Sequence, residues 1–218
     1  DYTSNKRSYQ KASKIVNIIE TKKLAISANG PSEIYHKSKL VVGVENMPYK
    51  KIIEPLLGNV LLDMGGTVSS RATQDERAVF THPKTKSLTA PIICYESIYG
   101  EFVTEYAQKG AQFLTIITND AWFGEAVGPL QHLAQARLRA IEQGLPMVRV
   151  ANTGISAMID AKGRVTASMP MGIDGAIDAT LPRALPATLY SRAGDWPLLV
   201  VLVLLTLLVY RLHRRDTD

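Results

Sequence analysis

The sequence predicts an α/β protein, a sandwich with β-sheets inside and helices outside, followed by one transmembrane helix. Short apolar strand patterns alternate with helical patterns along most of the chain, and Asn29 and Gly30 give a strong hairpin signal between two strands. Residues 196–210 form an uncharged apolar run. With 218 residues and 46% apolar content, the chain can bury one sizeable core, so we expect one domain and an appendage.

The individual elements follow from the spacing of apolar residues and from turn signals. Residues 52–62 contain Pro55 and Gly58 and fit a short helix leading into a loop better than a strand. Helical spacing predicts helices over 100–110 and 130–143, and Gly144 ends the second. Strands are predicted at 24–28, 33–37, 78–81, 88–93, 112–118, 148–151, 156–159, 165–168 and 176–181.

Cys94 is the only cysteine of the chain, and it stands directly before Tyr95 and Glu96. A lone thiol cannot form an internal disulfide. Cys94 is predicted at a strand-to-helix turn, where a helix N-terminus and a nearby cation stabilise the nucleophilic thiolate. A cysteine after two isoleucines is also typical of an inert core residue. Taken alone, Cys94 therefore leaves both interpretations open.

Four motifs in order favour the nucleophile. They are Tyr35-His36-Lys37 followed by Glu45, the Cys-Tyr-Glu run at 94–96, the Thr-Asn-Asp-Ala-Trp-Phe-Gly run at 118–124, and Gln-His-Leu at 131–133 with Ala-Arg at 136–137. Together they resemble the nitrilase superfamily, and within it the apolipoprotein N-acyltransferase branch, over about residues 24–212. The resemblance implies a nitrilase-like α-β-β-α sandwich.

The superfamily shares a Glu-Lys-Cys triad, and the resemblance places its lysine at Lys37 and its cysteine at Cys94. The family's triad glutamate lies well upstream of the lysine. The 36 residues before Lys37 contain only Glu20 and Glu33, neither in the expected context. We therefore expect a C-terminal fragment whose sandwich is incomplete at the N-terminus and whose general base lies upstream. The start at Asp1, without an initiator methionine or a signal peptide, agrees with this expectation.

The resemblance also assigns residues around the triad. Glu45 matches a second family glutamate, expected to orient Lys37 or to assist proton transfer, and it completes the predicted catalytic set with Cys94. Tyr95 is expected to contact an acyl chain, and Glu96 to position the nucleophile loop. Further candidates for substrate binding or support are Trp122, Phe123 and Glu142. Ordinary core packing is the alternative for the two aromatic residues of this group.

The apolar run at 196–210 begins at Trp196, ends at Tyr210 and precedes an arginine cluster. These features are typical of a transmembrane helix, although about fifteen residues at ~1.5 Å each fall short of the ~30 Å hydrocarbon core. A buried core helix is the alternative. Basic clusters stay cytoplasmic, so we expect a bacterial inner membrane protein with its catalytic domain in the periplasm. The predicted divisions are a catalytic domain at 1–190, a linker at 191–195, the transmembrane helix at 196–212 and a cytoplasmic tail at 213–218.

No cofactor or metal is implied by the sequence. The four histidines lie far apart and Cys94 has no second cysteine nearby, so no spacing suits a metal site. The net charge is +5, but the lysines lack the interleaved aromatic residues that single-strand binding needs, which argues against nucleic acid as a partner. Walker, dinucleotide and Gly-x-Ser-x-Gly motifs are absent from the sequence. We expect a monomer at a membrane.

The resemblance implies an N-acyltransferase. Cys94 would attack the ester carbonyl of a phospholipid to form a thioester, and the N-terminal amine of an S-diacylglyceryl-cysteine lipoprotein would then take the acyl chain. Lys37 and a backbone N–H after Cys94 would stabilise the oxyanion. Two alternatives stay open. One is a nitrilase-like amidase acting on a small amide; the other is an inactive fragment, since loss of the base glutamate costs about 10²–10⁴ in rate.

Overall fold

The computed structural model describes residues 22–27, 30–42, 45–46, 49, 55, 73–82, 85–120 and 127–215. Within these ranges the strands are β1 (Lys22–Ser27), β2 (Gly30–His36), β3 (Phe80–Thr81), β4 (Leu88–Ile93), β5 (Phe113–Thr118), β6 (Met147–Ala151), β7 (Ser156–Ile159) and β8 (Val165–Met169). The helices there are a 3-10 helix at Cys94–Ile98, α1 (Gly100–Gln108), α2 (Gly128–Gln143), α3 (Leu189–Ala193) and α4 (Trp196–Arg215).

The larger sheet has the strand order β3-β4-β5-β6-β7-β8. The strands β4, β5 and β6 run parallel, while the remaining neighbours pair antiparallel. In this register Ile93 lies beside Ile117, and Ile117 lies beside Val150. The carboxyl ends of the three parallel strands therefore meet at one edge, where ligand sites of open α/β sheets form. Cys94 directly follows β4, and Asp120 follows β5 at the same edge.

The predicted hairpin is present as β1 and β2. These strands pair antiparallel from Lys22 opposite His36 to Ser27 opposite Gly30. Their turn, residues 28–29, lies outside the described part of the chain. The second strand leads into residues 35–39, which we call the lysine segment. Because the fully buried ring of Tyr35 belongs to the core, this segment is anchored where the hairpin ends.

The core is built from the parallel strands and the helices that cover them. The strand β4 reads as an apolar run because parallel strands are covered on both faces. The helix α1 buries Phe102, Val103 and Tyr106, and α2 buries Ala136 and Ala140. These two helices contact each other, and both contact the 3-10 helix after β4. The turn that carries the cysteine is therefore packed between the sheet and two helices.

The predicted strands and helices that fall on described residues are present except for one strand, but the short helix α3 (Leu189–Ala193) is not predicted and occupies part of the expected linker at 191–195. The bounds of β4 and β7 are those expected, and α2 ends at Gly144, whose φ of 67° is left-handed. The strand predicted at 176–181 is wrong, because these residues are mostly exposed and form no strand. The preceding strand β8 is itself largely exposed, so it offers no apolar surface for another strand to cover. The predicted helix at 52–62 lies outside the described residues apart from residue 55.

Every residue of α4 from 198 to 214 is exposed. Its 19-residue stretch Trp196–Arg214 has a mean hydropathy of 1.9 with none of it buried, so length and composition allow it to cross a membrane. A buried core helix does not fit this exposure. The helix is also longer than the apolar run alone suggests. Its 20 residues, at ~1.5 Å each, reach ~30 Å, the thickness of a hydrocarbon core.

Candidate active site

Cys94 lies at the turn between β4 and the 3-10 helix, as the sequence predicts. We call residues 93–98 the nucleophile turn. The φ of Cys94 is 48°, in the left-handed region, which costs a residue with a Cβ atom about 1–3 kcal/mol. The thiol is free and half-buried. Such a strained backbone persists only where surrounding contacts fix it.

Glu96 connects the nucleophile turn to the lysine segment. Its buried carboxylate accepts hydrogen bonds from the N–H groups of Ile93 at 2.7 Å, Ser38 at 2.5 Å and Lys39 at 3.2 Å. The hydroxyl of Tyr35 donates a further bond at 2.8 Å. Burial raises the pKa of Glu96, and these hydrogen bonds oppose the rise. The carboxylate of Glu96 thus holds the nucleophile turn and the lysine segment in fixed positions relative to each other.

Lys37 and Glu45 form a buried ion pair. The Nζ atom of Lys37 lies 2.6 Å from Oε2 of Glu45, and the two side chains are only 2% and 11% exposed. The chain folds back to bring them together: the N–H of Glu45 donates to the carbonyl of Val41, and the Val41 N–H donates to the Glu45 carboxylate, both at 2.8 Å. Because a buried ammonium needs a counter-charge, Glu45 provides the partner that lets Lys37 stay inside.

Tyr95 packs edge-to-face on Tyr99, with ring centroids 5.4 Å apart. Tyr95 is half-buried, while Tyr99 is exposed. Burial and the hydrogen bond with Tyr95 raise the pKa of Tyr99 to about 12. The two rings form an aromatic surface beside the nucleophile turn. Trp122 and Phe123, expected in the same region, lie outside the described residues.

Glu142 lies near the end of α2 and pairs with Arg139, whose Nη2 atom is 2.8 Å from the carboxylate. The other terminal nitrogen of Arg139 donates to the carbonyl of Ile98 at 3.1 Å. Burial raises the pKa of Glu142, the Arg139 charge lowers it and the Asp195 charge raises it further. These contacts connect Glu142 to the nucleophile turn through Arg139.

A second buried polar group lies against the nucleophile turn. Asp120 accepts hydrogen bonds from Nδ1 of His132 at 2.9 Å and from Nη2 of Arg149 at 2.6 Å. The Nε2 atom of His132 lies 2.8 Å from Oγ of Ser97. Burial alone would raise the pKa of Asp120, but the His132 hydrogen bond and the Arg149 charge outweigh it and lower the pKa. We call Asp120, His132 and Arg149 the Asp120 cluster.

Asp120 and His132 belong to two of the sequence motifs, but the motifs do not indicate the cluster. Two signals could have found it. An arginine inside the apolar strand at 147–151 requires a buried partner, and Asp120 follows the neighbouring parallel strand. His132 precedes Ala136 by four residues and Ala140 by eight, so it shares the buried face of α2.

The described part of the site contains a thiol, a buried ammonium and three buried carboxylates, those of Glu45, Glu96 and Asp120. This set suits covalent acyl chemistry, in which a thiolate attacks a carbonyl and a cation stabilises the oxyanion. Among the residues that the structure describes, no group of three His, Cys, Asp or Glu side chains is placed to hold a metal ion.

Residues 4–189 match the family model of the carbon-nitrogen hydrolases, and the chain belongs to that family. Within it, the chain is similar to the apolipoprotein N-acyltransferases of Bradyrhizobium diazoefficiens (44% identity over 82% of this chain), Chlorobaculum tepidum (40% over 77%) and Haemophilus influenzae (38% over 80%). The resemblance inferred from the motifs is confirmed. The aligned region is 32% of each of these relatives, so the chain spans about a third of their length.

Solved structures show the same fold. The chain aligns with Saccharomyces cerevisiae Nit3, a member of branch 10 of the nitrilase superfamily, with a TM-score of 0.52 at 15% identity, covering 70% of this chain and 50% of that one. A mutant amidase from Nesterenkonia sp. AN1, with a covalent addition at its active site cysteine, gives 0.50 at 16% identity, covering 69% and 51%. The predicted nitrilase-like architecture is therefore confirmed.

Proposed function

We propose that the protein is an N-acyltransferase that moves a fatty acyl chain from a phospholipid, through a thioester on Cys94, to the N-terminal amine of an S-diacylglyceryl-cysteine lipoprotein. The observation that carries this proposal is the link through Glu96, which binds the nucleophile turn and the lysine segment with one carboxylate. The relatives named apolipoprotein N-acyltransferases support the reaction class.

In the first half-reaction, the sulfur of Cys94 attacks the ester carbonyl carbon of the phospholipid. The ammonium of Lys37 and the backbone N–H that follows Cys94 stabilise the oxyanion. The ester C–O bond then breaks, the acyl group stays on sulfur, and the lysophospholipid leaves as an alcohol with the proton of the thiol. Glu45, paired with Lys37, orients the ammonium and assists this proton transfer.

In the second half-reaction, the amine of the acceptor attacks the thioester carbonyl at the same oxyanion position. The C–S bond breaks, an amide forms, and the proton lost by the amine returns to Cys94 as its thiol is restored. Both half-reactions develop negative charge on a carbonyl oxygen, so one fixed cation serves both. Lys37 is buried and paired, which suits that repeated use.

The membrane supplies both substrates in this proposal. The helix α4 crosses the bilayer, with its arginine cluster on the cytoplasmic side and the catalytic domain in the periplasm. The aromatic pair Tyr95 and Tyr99 offers an apolar surface for an acyl chain next to the nucleophile turn. One chain carries the nucleophile, the ammonium and its carboxylate, so we propose a monomer.

A transfer experiment tests the proposal. The detergent-solubilised protein is incubated with phosphatidylethanolamine that carries a deuterated acyl chain, and a dipalmitoylglyceryl-cysteine peptide is then added. We expect the labelled chain to appear as an amide on the peptide, and neither in Cys94→Ala nor on an N-acetylated control peptide. Release of free fatty acid without transfer, together with hydrolysis of a small amide, would favour an amidase. A folded protein without any acyl adduct would favour an inactive fragment.

A further inference from the structure

The carbonyl oxygen of Cys94 is held from inside the domain. The hydroxyl of Ser97 donates to it at 2.8 Å, and Nε2 of His132 lies 3.3 Å from the same oxygen. Ser97 is fully buried, and His132 is 6% exposed. Because the left-handed φ of Cys94 is strained, the peptide group that follows it needs contacts of this kind to stay in place.

These contacts continue into the central sheet. His132 is held by Asp120, and Asp120 in turn binds the guanidinium of Arg149 from β6. The Nε atom of Arg149 donates to the carbonyl of Ile155 at 3.1 Å, which fixes the orientation of the guanidinium. The hydroxyl of Thr118, the last residue of β5, donates to Asp120 at 2.8 Å. A continuous set of hydrogen bonds therefore runs from two central strands to the nucleophile turn.

We propose that the Asp120 cluster, acting through Ser97, is a set of positioning residues that holds the carbonyl of Cys94 and thereby keeps the nucleophile in its left-handed turn. The inference rests on the proposed role of Cys94 as the nucleophile. The two groups hold the turn through different backbone atoms: the carboxylate of Glu96 accepts from N–H groups, whereas the hydroxyl of Ser97, which His132 contacts, donates to the carbonyl of Cys94.

The charges of Arg149 and Asp120 agree with a positioning role for the Asp120 cluster. Burial lowers the pKa of Arg149, while the charges of Asp120 and of a Cys94 thiolate raise it. Negative charge on the sulfur of Cys94 would therefore be attracted by the guanidinium. Asp120 neutralises part of the arginine charge, and the cluster adds no unpaired anion near the sulfur.

A matched pair of serine variants separates positioning from stability. Ser97 and Ser191 are both buried, and each donates its hydroxyl to the carbonyl three residues earlier, at 2.8 Å to Cys94 and 3.0 Å to Thr188. Ser97→Ala and Ser191→Ala thus each remove a hydroxyl-to-carbonyl hydrogen bond of the same kind, and Ser97→Ala also removes the contact with His132. The readout is the rate constant for alkylation of Cys94 by iodoacetamide at pH 7, followed by intact mass. Rates are compared only among variants whose circular dichroism matches that of the unchanged protein, since an unfolded chain also exposes its thiol.

A pair of histidine variants tests the contact between His132 and Ser97. In His132→Asn, the side-chain amide can still donate to Asp120 but is too short to reach Ser97. In His132→Gln, the longer side chain can place its amide near Ser97. We expect Ser97→Ala and His132→Asn to slow alkylation about tenfold, Ser191→Ala to leave it unchanged and His132→Gln to recover part of the rate. Should Ser97→Ala not fold, the histidine pair decides.

Equal alkylation rates for folded Ser97→Ala, His132→Asn and Ser191→Ala would overturn the inference. Failure of this inference can be told apart from failure of the proposed function. Protein whose Cys94 alkylates but transfers no acyl chain would refute the acyltransferase proposal, while the comparison between Ser97→Ala and Ser191→Ala would still test the positioning role.

Discussion

The ammonium of Lys37 lies 2.6 Å from the carboxylate of Glu45, inside the domain, and Lys37 belongs to the lysine segment that Glu96 binds to the nucleophile turn. A buried pair of this kind adds little net stability, because desolvation offsets the attraction between the charges. Breaking it is costly, since one charge is then left buried without a partner. Net stability therefore does not explain the pair, which agrees with the proposed role of Lys37 as a fixed cation in the site.

Replacing Glu45 with glutamine should leave the ammonium of Lys37 without its counter-charge. We expect a loss of about 3–5 kcal/mol in the free energy of unfolding, and a fall of about 10² or more in the rate of Cys94 acylation. Urea unfolding in detergent and intact-mass kinetics measure the two effects. The exposed Glu76→Gln serves as the control. Equal acylation rates for both variants would contradict the role given to Glu45.

The stability cost of replacing Glu96 should depend on how many of its hydrogen-bond donors the new side chain can still pair. Gln can accept the hydrogen bonds of Ser38 and Lys39 through its carbonyl oxygen, but its amide group faces the N–H of Ile93. We expect Glu96→Gln to cost about 1–3 kcal/mol and Glu96→Ala to cost more, because Ala leaves all of these donors unpaired. Urea unfolding compares the two variants, and equal stability of both would argue against the link.

The pH dependence of stability should report on Asp120. Its pKa is lowered in the folded protein, so its contribution is complete above the unfolded-state pKa of about 3.9 and is lost as the pH falls through the folded-state pKa. At pH 7, Asp120→Asn should lose about 3–5 kcal/mol because the buried Arg149 loses its counter-charge. The deficit should shrink below pH ~4. A deficit of the same size at pH 3, measured by urea unfolding, would show that the carboxylate charge is not its source.

Membrane orientation can be read by thiol labelling in a Cys94→Ala background. Single cysteines replace the exposed Asp178 of the domain and, beyond α4, Thr217 of the tail. In spheroplasts, a membrane-impermeant maleimide should label Asp178→Cys and should label Thr217→Cys only after lysis, because the arginine cluster stays cytoplasmic. Labelling of both positions in intact spheroplasts would contradict a spanning α4.

Much of the sheet is predictable from local pattern, because its parallel strands are short apolar runs bounded by turn residues. The bounds of β4, the turn at Cys94 and the left-handed end of α2 at Gly144 all follow from sequence. The strand expected at 176–181 fails because a strand also needs a neighbour with surface to cover, which local pattern does not report.

The site is less predictable than the sheet. The motifs name Cys94, Lys37 and Glu96. They do not show that Glu96, in the nucleophile turn, binds Ser38 of the lysine segment, 58 residues earlier in the sequence. The left-handed φ of Cys94 is likewise not indicated by the local sequence pattern. Arg149 in an apolar strand indicates a buried partner, but the sequence alone does not identify that partner as Asp120.

The most direct measurement is the intact mass of the detergent-solubilised protein after incubation with phosphatidylethanolamine, with Cys94→Ala as control. We predict a mass gain of one fatty acyl chain that maps to Cys94, is removed by hydroxylamine as a thioester is, and is absent from the variant. A folded protein that gains no acyl mass, or gains it equally without Cys94, would contradict the assignment of Cys94 as the acyl-carrying nucleophile.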